Sequence, residues 1–332
     1  MKRWRIGIVG AGAIVRDRHY PGLKDRDDVE LVAVCNSTPE STARAAEEFQ
    51  IPEVCASWQE MVARSDLDVI WIGTAPHLHQ EITIAALESG KHVFCQARMA
   101  MNLAEARAMR DCSRQHPELV TMLCPPPMGM QKGATFKRML DEGLIGDPVH
   151  LNFTANDLVW QDADASMHWR QDVSKSGQNA LTLGIFAEVL GYWLGYPEPS
   201  RVIARKKVHR SLQKRELVLV PDVIHVMAEW KSGWQGILQW SGVAAGAPAP
   251  RLECYGSRGT LIYDFGLNGE EEILYATIGS VLQKVKVPVS EQGSWDVEDR
   301  FIRALSQASR PEPTFETGVC YMEFIDAVYR NS

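Results

Sequence analysis

Residues 4–9, WRIGIV, form an apolar run that stops at Gly10-Ala11-Gly12. A buried strand ending in two glycines one residue apart has few continuations. The first glycine permits a tight turn, the second lets the backbone approach a bound group closely, and the chain then enters a helix whose first N–H groups are free. That helix is expected over roughly residues 13–24. VELVAVCN is the next strand, and PESTARAAEEF, with Pro39 in its first turn, the next helix. LDVIWIGTA and LHQEITIAALESG, closed by Gly90, repeat the unit, as do KHVFC and LAEARAMRDCSRQH, opened by Asn102 and Glu105 as a capping box; LVTMLC ends the series. Strands alternating with helices at this spacing require right-handed crossovers and a parallel, doubly wound sheet.

Pro125-Pro126-Pro127 continues neither a ladder nor a helix, so the architecture is expected to change there. After one helix, QKGATFKRMLDEG, come extended runs with period-two alternation: PVHLNFTAND, SRVIARKKVHRS, DVIHVMAEW, WQGILQWSG, RLECYGS and GTLIYDF. They predict a large, open, mostly antiparallel sheet, followed by a helical return over WDVEDRFIRALSQA and FETGVCYMEFIDAVYR. The expected fold class is therefore α/β, with a parallel nucleotide-type domain at 1–124 and an α+β domain at 125–332.

The 332 residues suffice for two cores, and the net charge of -7 argues against a nucleic-acid partner. Seven cysteines form no C-x-x-C pair and are odd in number, which favours a reducing, cytoplasmic setting. The basic, apolar start has the outline of a secretory signal, but it is glycine-rich and runs into Arg16-Asp17-Arg18 without a small-residue cleavage pattern. No stretch approaches the ~18–20 apolar residues that span a bilayer, so no membrane partner is expected.

At the glycine turn, Gly10, Gly12, Ala13 and Ile14 are the candidates to hold a pyrophosphate, as in NAD or NADP; a structural turn without nucleotide has the same pattern. The place of a third glycine is taken by Val15, which loosens the expected helix-to-strand contact. At the end of the second strand, where NAD enzymes commonly carry a carboxylate, stand Asn36, Ser37 and Thr38. A neutral amide bonds a ribose hydroxyl without repelling a 2′-phosphate, so NAD and NADP both remain open.

With GIVGAGAIVRDRHYPGL, WIGTAPHLHQEITIAALESGKHVFC and GDPVHLNF, the chain resembles the glucose-fructose oxidoreductase, inositol dehydrogenase and rhizopine-catabolism (Gfo/Idh/MocA) family over essentially its full length. The resemblance implies a Rossmann-type domain with an open-faced sheet domain, and hydride transfer between NAD(P) and sugars, cyclitols or their derivatives. It also implies homodimers or homotetramers built through that sheet. Thr74, Ala75, His77 and His79 fall in the family's cofactor loop, and Gln96 on the glutamate of its E-K-P motif, whose lysine and proline become Ala97 and Arg98. The family's D-x-G-x-H falls on Thr182, Gly184 and Phe186, so the aspartate and the proton-accepting histidine are replaced too.

Alcohol oxidation needs a proton acceptor within hydrogen-bond reach. Alanine, threonine and phenylalanine offer none, and Arg98 stays protonated. His168, in MHWRQD, is the candidate for the displaced acid or base, although a solvated loop histidine accounts for it equally. Arg98 and Arg170 are candidates to grip a carboxylate bidentately, and Tyr192, Trp193 and Trp160 to stack on a sugar ring unless they belong to the core. Asp157, Asp162 and Asp164 resemble a carboxylate cluster and His168 follows Asp164 by four places, but that spacing aligns ligands only on a helix and this stretch reads as loop, so no metal is expected. The leading expectation is an NAD(P)-dependent oxidoreductase on a sugar, cyclitol or sugar acid with a non-standard proton relay. A redox-neutral lyase, isomerase or glycosidase with tightly held cofactor, and a non-catalytic nucleotide-binding homologue, are the alternatives.

Overall fold

The computed structural model describes residues 2–162 and 164–332. The chain divides into two compact units, Met1–Pro125 with Asp296–Val319, and Pro126–Trp295 with Cys320–Ser332.

The first unit is built on six parallel strands, β1 (Trp4–Val9), β2 (Val29–Cys35), β3 (Glu53–Val54), β4 (Val69–Ile72), β5 (His92–Cys95) and β6 (Thr121–Leu123). They lie in the order β3-β2-β1-β4-β5-β6. The strand order reverses between β1 and β4, which is where doubly wound sheets open a crevice at their C-terminal edge. β4 is buried at every position, as a strand covered on both faces must be. The first crossover is a π-helical turn, Val15–His19, running into α1 (Tyr20–Leu23), with the Tyr20 N–H donating to the Val15 carbonyl. Its irregular winding is not visible as a periodicity in the sequence. The other crossovers are α2 (Pro39–Glu48), α3 (Trp58–Ala63), α4 (His79–Glu88) and α5 (Leu103–Gln115). Asn102 caps α5 by accepting from the Glu105 N–H, and the Glu105 carboxylate accepts from the Met101 N–H.

In the second unit, α6 (Gly133–Asp141) precedes β7 (Pro148–Asn156). Next come α7 (Val173–Ser176), α8 (Leu183–Leu194), β8 (Val202–Lys207), the short pair β9 (Leu212–Gln213) and β10 (Glu216–Leu217), β11 (Val223–Glu229) and β12 (Gln235–Ser241). β13 (Arg251–Gly256), β14 (Gly259–Asp264), β15 (Glu272–Thr277) and β16 (Gln283–Lys284) complete an eight-stranded sheet, β16-β15-β14-β13-β7-β12-β11-β8. All its pairings are antiparallel except β7 with β12. One face packs under α8, where Phe153, Phe186, Trp240 and Phe265 meet. The other face is open. Met227 stands opposite both Ile203 and Ile237, so three apolar side chains, each more than half exposed, form a row across β8, β11 and β12.

The compact units differ from a simple division at 124/125, because α9 (Val297–Gln307) and the start of α10 (Phe315–Arg330) belong with the first. The cause is apolar: Phe301 of α9 is fully buried with its ring edge-on to Trp71 and Phe94, themselves stacked 3.8 Å apart between β4 and β5. A pairing that far apart in sequence leaves no local signal.

Candidate functional site

The C-terminal edge of the first unit's sheet brings together the glycine turn and the ends of β2, β4 and β5. Gly10 has φ +88°, and a Cβ there would lie 2.6 Å from the Thr74 nitrogen, so only glycine fits. Gly12 differs: nothing lies within 4 Å of where its Cβ would be, and Gly12 and Ala13 are exposed. A helix starting at Ala13 has no intrahelical acceptor for its first N–H groups. Open space above Gly12, bordered by such donors, fits a pyrophosphate. Ile14 is half-buried at the base of this turn.

Val15, expected to loosen the packing, does not. It is fully buried, and the close approach has passed to Gly73, whose Cβ would strike Val15 Cγ2 at 2.6 Å and the Gly10 carbonyl oxygen at 2.3 Å. The missing third glycine is supplied by the neighbouring strand.

Asn36 is committed to the protein. Its Oδ1 accepts from the Ala11 N–H at 2.7 Å and its Nδ2 donates to the Ser41 carbonyl at 3.0 Å, bracing the glycine turn against α2. Ser37 is exposed at the same edge. The Thr38 hydroxyl caps α2 by accepting from the Ser41 N–H, so it contributes to the helix first.

In the loop after β4, Thr74, Ala75 and His77 are half-buried. His79 requires a correction. Its ring is fully buried, with Nε2 2.9 Å from the Thr74 carbonyl and Nδ1 3.0 Å and 3.2 Å from the Arg98 and Met99 carbonyls. Such a ring has no surface to offer a cofactor. It ties the loop after β4 to the loop after β5. Burial holds it below the ordinary histidine range, the carbonyl contacts opposing that shift.

Arg98 is also buried, beside Ala97 and below Gln96 at the end of β5. Gln96 Oε1 lies 3.2 Å from Nε2 of His19, whose Nδ1 lies 2.5 Å from Glu298 Oε1 on α9. His19 and Glu298 are both buried. Sequence reasoning missed this chain, since His19 and Glu298 are 279 positions apart. The one clue was an unassigned histidine in the first crossover.

In the second unit, Phe186 is the residue that the sequence resemblance sets against a D-x-G-x-H histidine. It is 1 % exposed, between Phe153 at 4.8 Å and Phe265 at 5.0 Å, so α8 presents core at that position. Thr182 precedes α8. His168 is exposed and caps a short 3-10 turn, Trp169–Gln171, with Nδ1 accepting from the Arg170 N–H at 3.1 Å. A neutral ring held this way carries its hydrogen on Nε2 and offers a donor outward. Partial burial, then Arg170, lowers its pKa from the ordinary value. The Arg170 guanidinium lies over the Trp169 ring, 4.3 Å from its centroid.

Trp160 and Trp193 are buried, the latter against Phe136 and Tyr263, so neither is available to stack on a sugar; Tyr192 is exposed. Asp157 and Asp162 accept from the Val159 and Asp164 N–H groups, the local bonds of turns. Among the described residues no three His, Cys, Asp or Glu side chains converge as a metal site would require.

An open pyrophosphate cradle at the crevice of a doubly wound sheet in one unit, in a chain whose other unit is an open-faced mixed sheet, defines a dinucleotide-dependent enzyme class. Residues 4–123 match the oxidoreductase family with an NAD-binding Rossmann fold, and residues 134–262 match the GFO/IDH/MocA C-terminal domain. The chain belongs to the Gfo/Idh/MocA oxidoreductase family, with NAD as the class of cofactor. It is 25 % identical over 312 residues to a levoglucosan dehydrogenase of Pseudarthrobacter phenanthrenivorans, covering 83 % of this chain and 77 % of that protein. It is 24 % identical over 265 residues to a myo-inositol 2-dehydrogenase of Thermotoga maritima, covering 78 % and 75 %. Among solved structures, levoglucosan dehydrogenase in complex with NADH and levoglucosan superposes with a TM-score of 0.84 at 20 % identity, covering 99 % of this chain and 97 % of that one.

Proposed function

We propose that the protein is an NAD(P)-dependent oxidoreductase acting on a sugar, cyclitol or sugar acid, with a proton relay different from that of its relatives. The observation carrying the cofactor half is the cradle above Gly12, with Gly10 and the free N–H groups at Ala13 and Ile14. Thr74, Ala75, His77 and Gln96 line the path of the remaining dinucleotide, and His79 acts on it only through the two loops it joins. Asn36, with Ser37 and Thr38 beside it, brings no negative charge against a 2′-phosphate, so NAD and NADP both suit the edge of β2. Similarity to proteins named for levoglucosan and myo-inositol supports a polyol substrate.

When bound, the nicotinamide ring supplies the hydride acceptor. The chain supplies the handling of the hydroxyl. His168 carries its hydrogen on Nε2, so it takes the hydroxyl proton at Nδ1, once the bond from the Arg170 N–H opens and the ring turns that nitrogen towards the reacting oxygen. Arg170 is the proposed anchor for a carboxylate where the substrate is a sugar acid; Arg98, the other candidate, is buried at the end of β5. The open face of the large sheet, with its row Ile203, Met227 and Ile237, is the surface on which a second copy docks. That no disulfide forms among the described residues supports a cytoplasmic location, and among the described residues no helix is long and apolar enough to cross a membrane.

The test is a panel of sugars, cyclitols and sugar acids with NAD and NADP. At least one should give net reduced nicotinamide, and His168→Ala should lower that rate about a hundredfold or more. The absence of a lysine at Ala97 and of a histidine at Phe186 favours one second reading, a redox-neutral enzyme. It predicts co-purified cofactor, no net reduction, and entry of solvent deuterium beside the transiently oxidised carbon.

A further inference from the structure

The buried pair His19–Glu298, which holds Gln96, lies outside every role assigned so far. Its imidazole is fully buried, edge-on to Trp71 at 5.1 Å and Phe94 at 5.2 Å, so the ring cannot rotate freely. Glu298, buried and only able to accept when ionised, sets Nδ1 as a hydrogen-bearing nitrogen. Nε2 faces an acceptor as well, Gln96 Oε1 at 3.2 Å, and donates to it, so the ring carries a hydrogen on each nitrogen. Room for the carboxylate comes from Gly22 in α1, where a Cβ would lie 2.7 Å from Glu298 Oε2 and 2.9 Å from its Cδ.

An amide has two ends. His19 takes Oε1, and among the described residues the Nε2 end of half-buried Gln96 makes no hydrogen bond. Gln96 stands at the C-terminal end of β5, with its own N–H on the Ile72 carbonyl of β4. A dinucleotide whose pyrophosphate lies at the turn after β1 spreads its two halves either side of the switch point, one over β2 and the other over β4 and β5. The half over β4 and β5 is the one Gln96 can meet.

We propose that the His19–Glu298 pair is a positioning device for Gln96, and that the outward end of this amide meets the carboxamide of the nicotinamide ring. The proposal rests on the cofactor reading above. A carboxamide carries both donor and acceptor, so it matches a fixed glutamine amide well. His19 and Glu298 touch neither cofactor nor substrate; they act by denying Gln96 its other rotamers.

The experiment uses the full-length protein with histidine labelled by nitrogen-15, and titrations with NADH and with ADP-ribose, which lacks the nicotinamide. In the wild type one His19 ring proton, on Nδ1, should be shifted far downfield and protected from exchange. Glu298→Gln and Gly22→Ala should each remove that signature. Both, and Gln96→Ala, should weaken NADH binding about tenfold, about 1.4 kcal/mol, with ADP-ribose affinity unchanged. In a Gln96→Ala background, Glu298→Gln should cost nothing more. An unprotected His19 ring, equal losses for ADP-ribose, or additive effects of Glu298→Gln and Gln96→Ala would each overturn the proposal. Failure of wild-type protein to bind NADH and NADPH sinks the cofactor reading and the purpose given to the amide, while the ring resonances test the pair separately.

Discussion

Substituting histidine at Phe186 supplies the residue type that the sequence resemblance expects there, and the structure predicts that it damages the protein instead. The phenyl ring is enclosed by Phe153 and Phe265. Replacing it forfeits two aromatic contacts, each about 0.5–1.5 kcal/mol. It also buries imidazole nitrogens without partners, at about 1–3 kcal/mol. The expected loss is about 3–4 kcal/mol, or roughly 10 °C in melting temperature for a unit of this size. Thermal unfolding followed by near-ultraviolet circular dichroism checks it, alongside a dehydrogenase assay. A Phe186→His protein that melts within about 2 °C of wild type, or that gains activity, refutes the argument that this position is closed core.

Ala97→Lys alone should create no strong dehydrogenase activity, because Phe186 in α8 offers no proton acceptor; a large gain in the sugar panel contradicts a relocated relay. Acid should destabilise the fold. His79 and His92 are both held below the ordinary histidine range, burial being the first cause. As pH falls below about 6.5 the unfolded chain takes up protons that these folded rings refuse, so stability present above that pH is lost below it. Urea midpoints should fall on acidification, less so in His79→Gln, and a rising midpoint contradicts the assignment. Met227→Asp, at the centre of the exposed apolar row, should convert an oligomeric wild type to monomer in sedimentation, with unchanged circular dichroism; a monomeric wild type removes the role given to that face.

What was legible in the sequence was local. The strand Trp4–Val9, its glycine turn and the alternation that follows gave the parallel sheet, because period and turn chemistry act over a few residues. Pro39 after Thr38 and Asn102 before Glu105 likewise marked real helix starts. The six-residue α3 is too short to show a period, and β15 lies partly exposed near the sheet edge, so neither announced itself. Contacts between distant segments were not legible. Gly73 making room for Val15, Phe301 closing over Trp71, and Glu298 meeting His19 depend on the finished fold. His79 shows the same limit at the site: its place in the motif suggested a ligand contact, while its actual partners are three backbone carbonyls.

The cradle at the glycine turn is tested most directly by calorimetric titration of wild type and Gly12→Asp with NAD and NADP in both redox states. Nothing lies near the Gly12 Cβ position, and its φ falls outside the left-handed range, so the fold should tolerate the side chain. The carboxylate would instead meet the pyrophosphate. Association by wild type with at least one form, lost in a variant of unchanged melting temperature, is the predicted result. Heat of binding undiminished in Gly12→Asp, or absent from wild type with all four nucleotides, contradicts it.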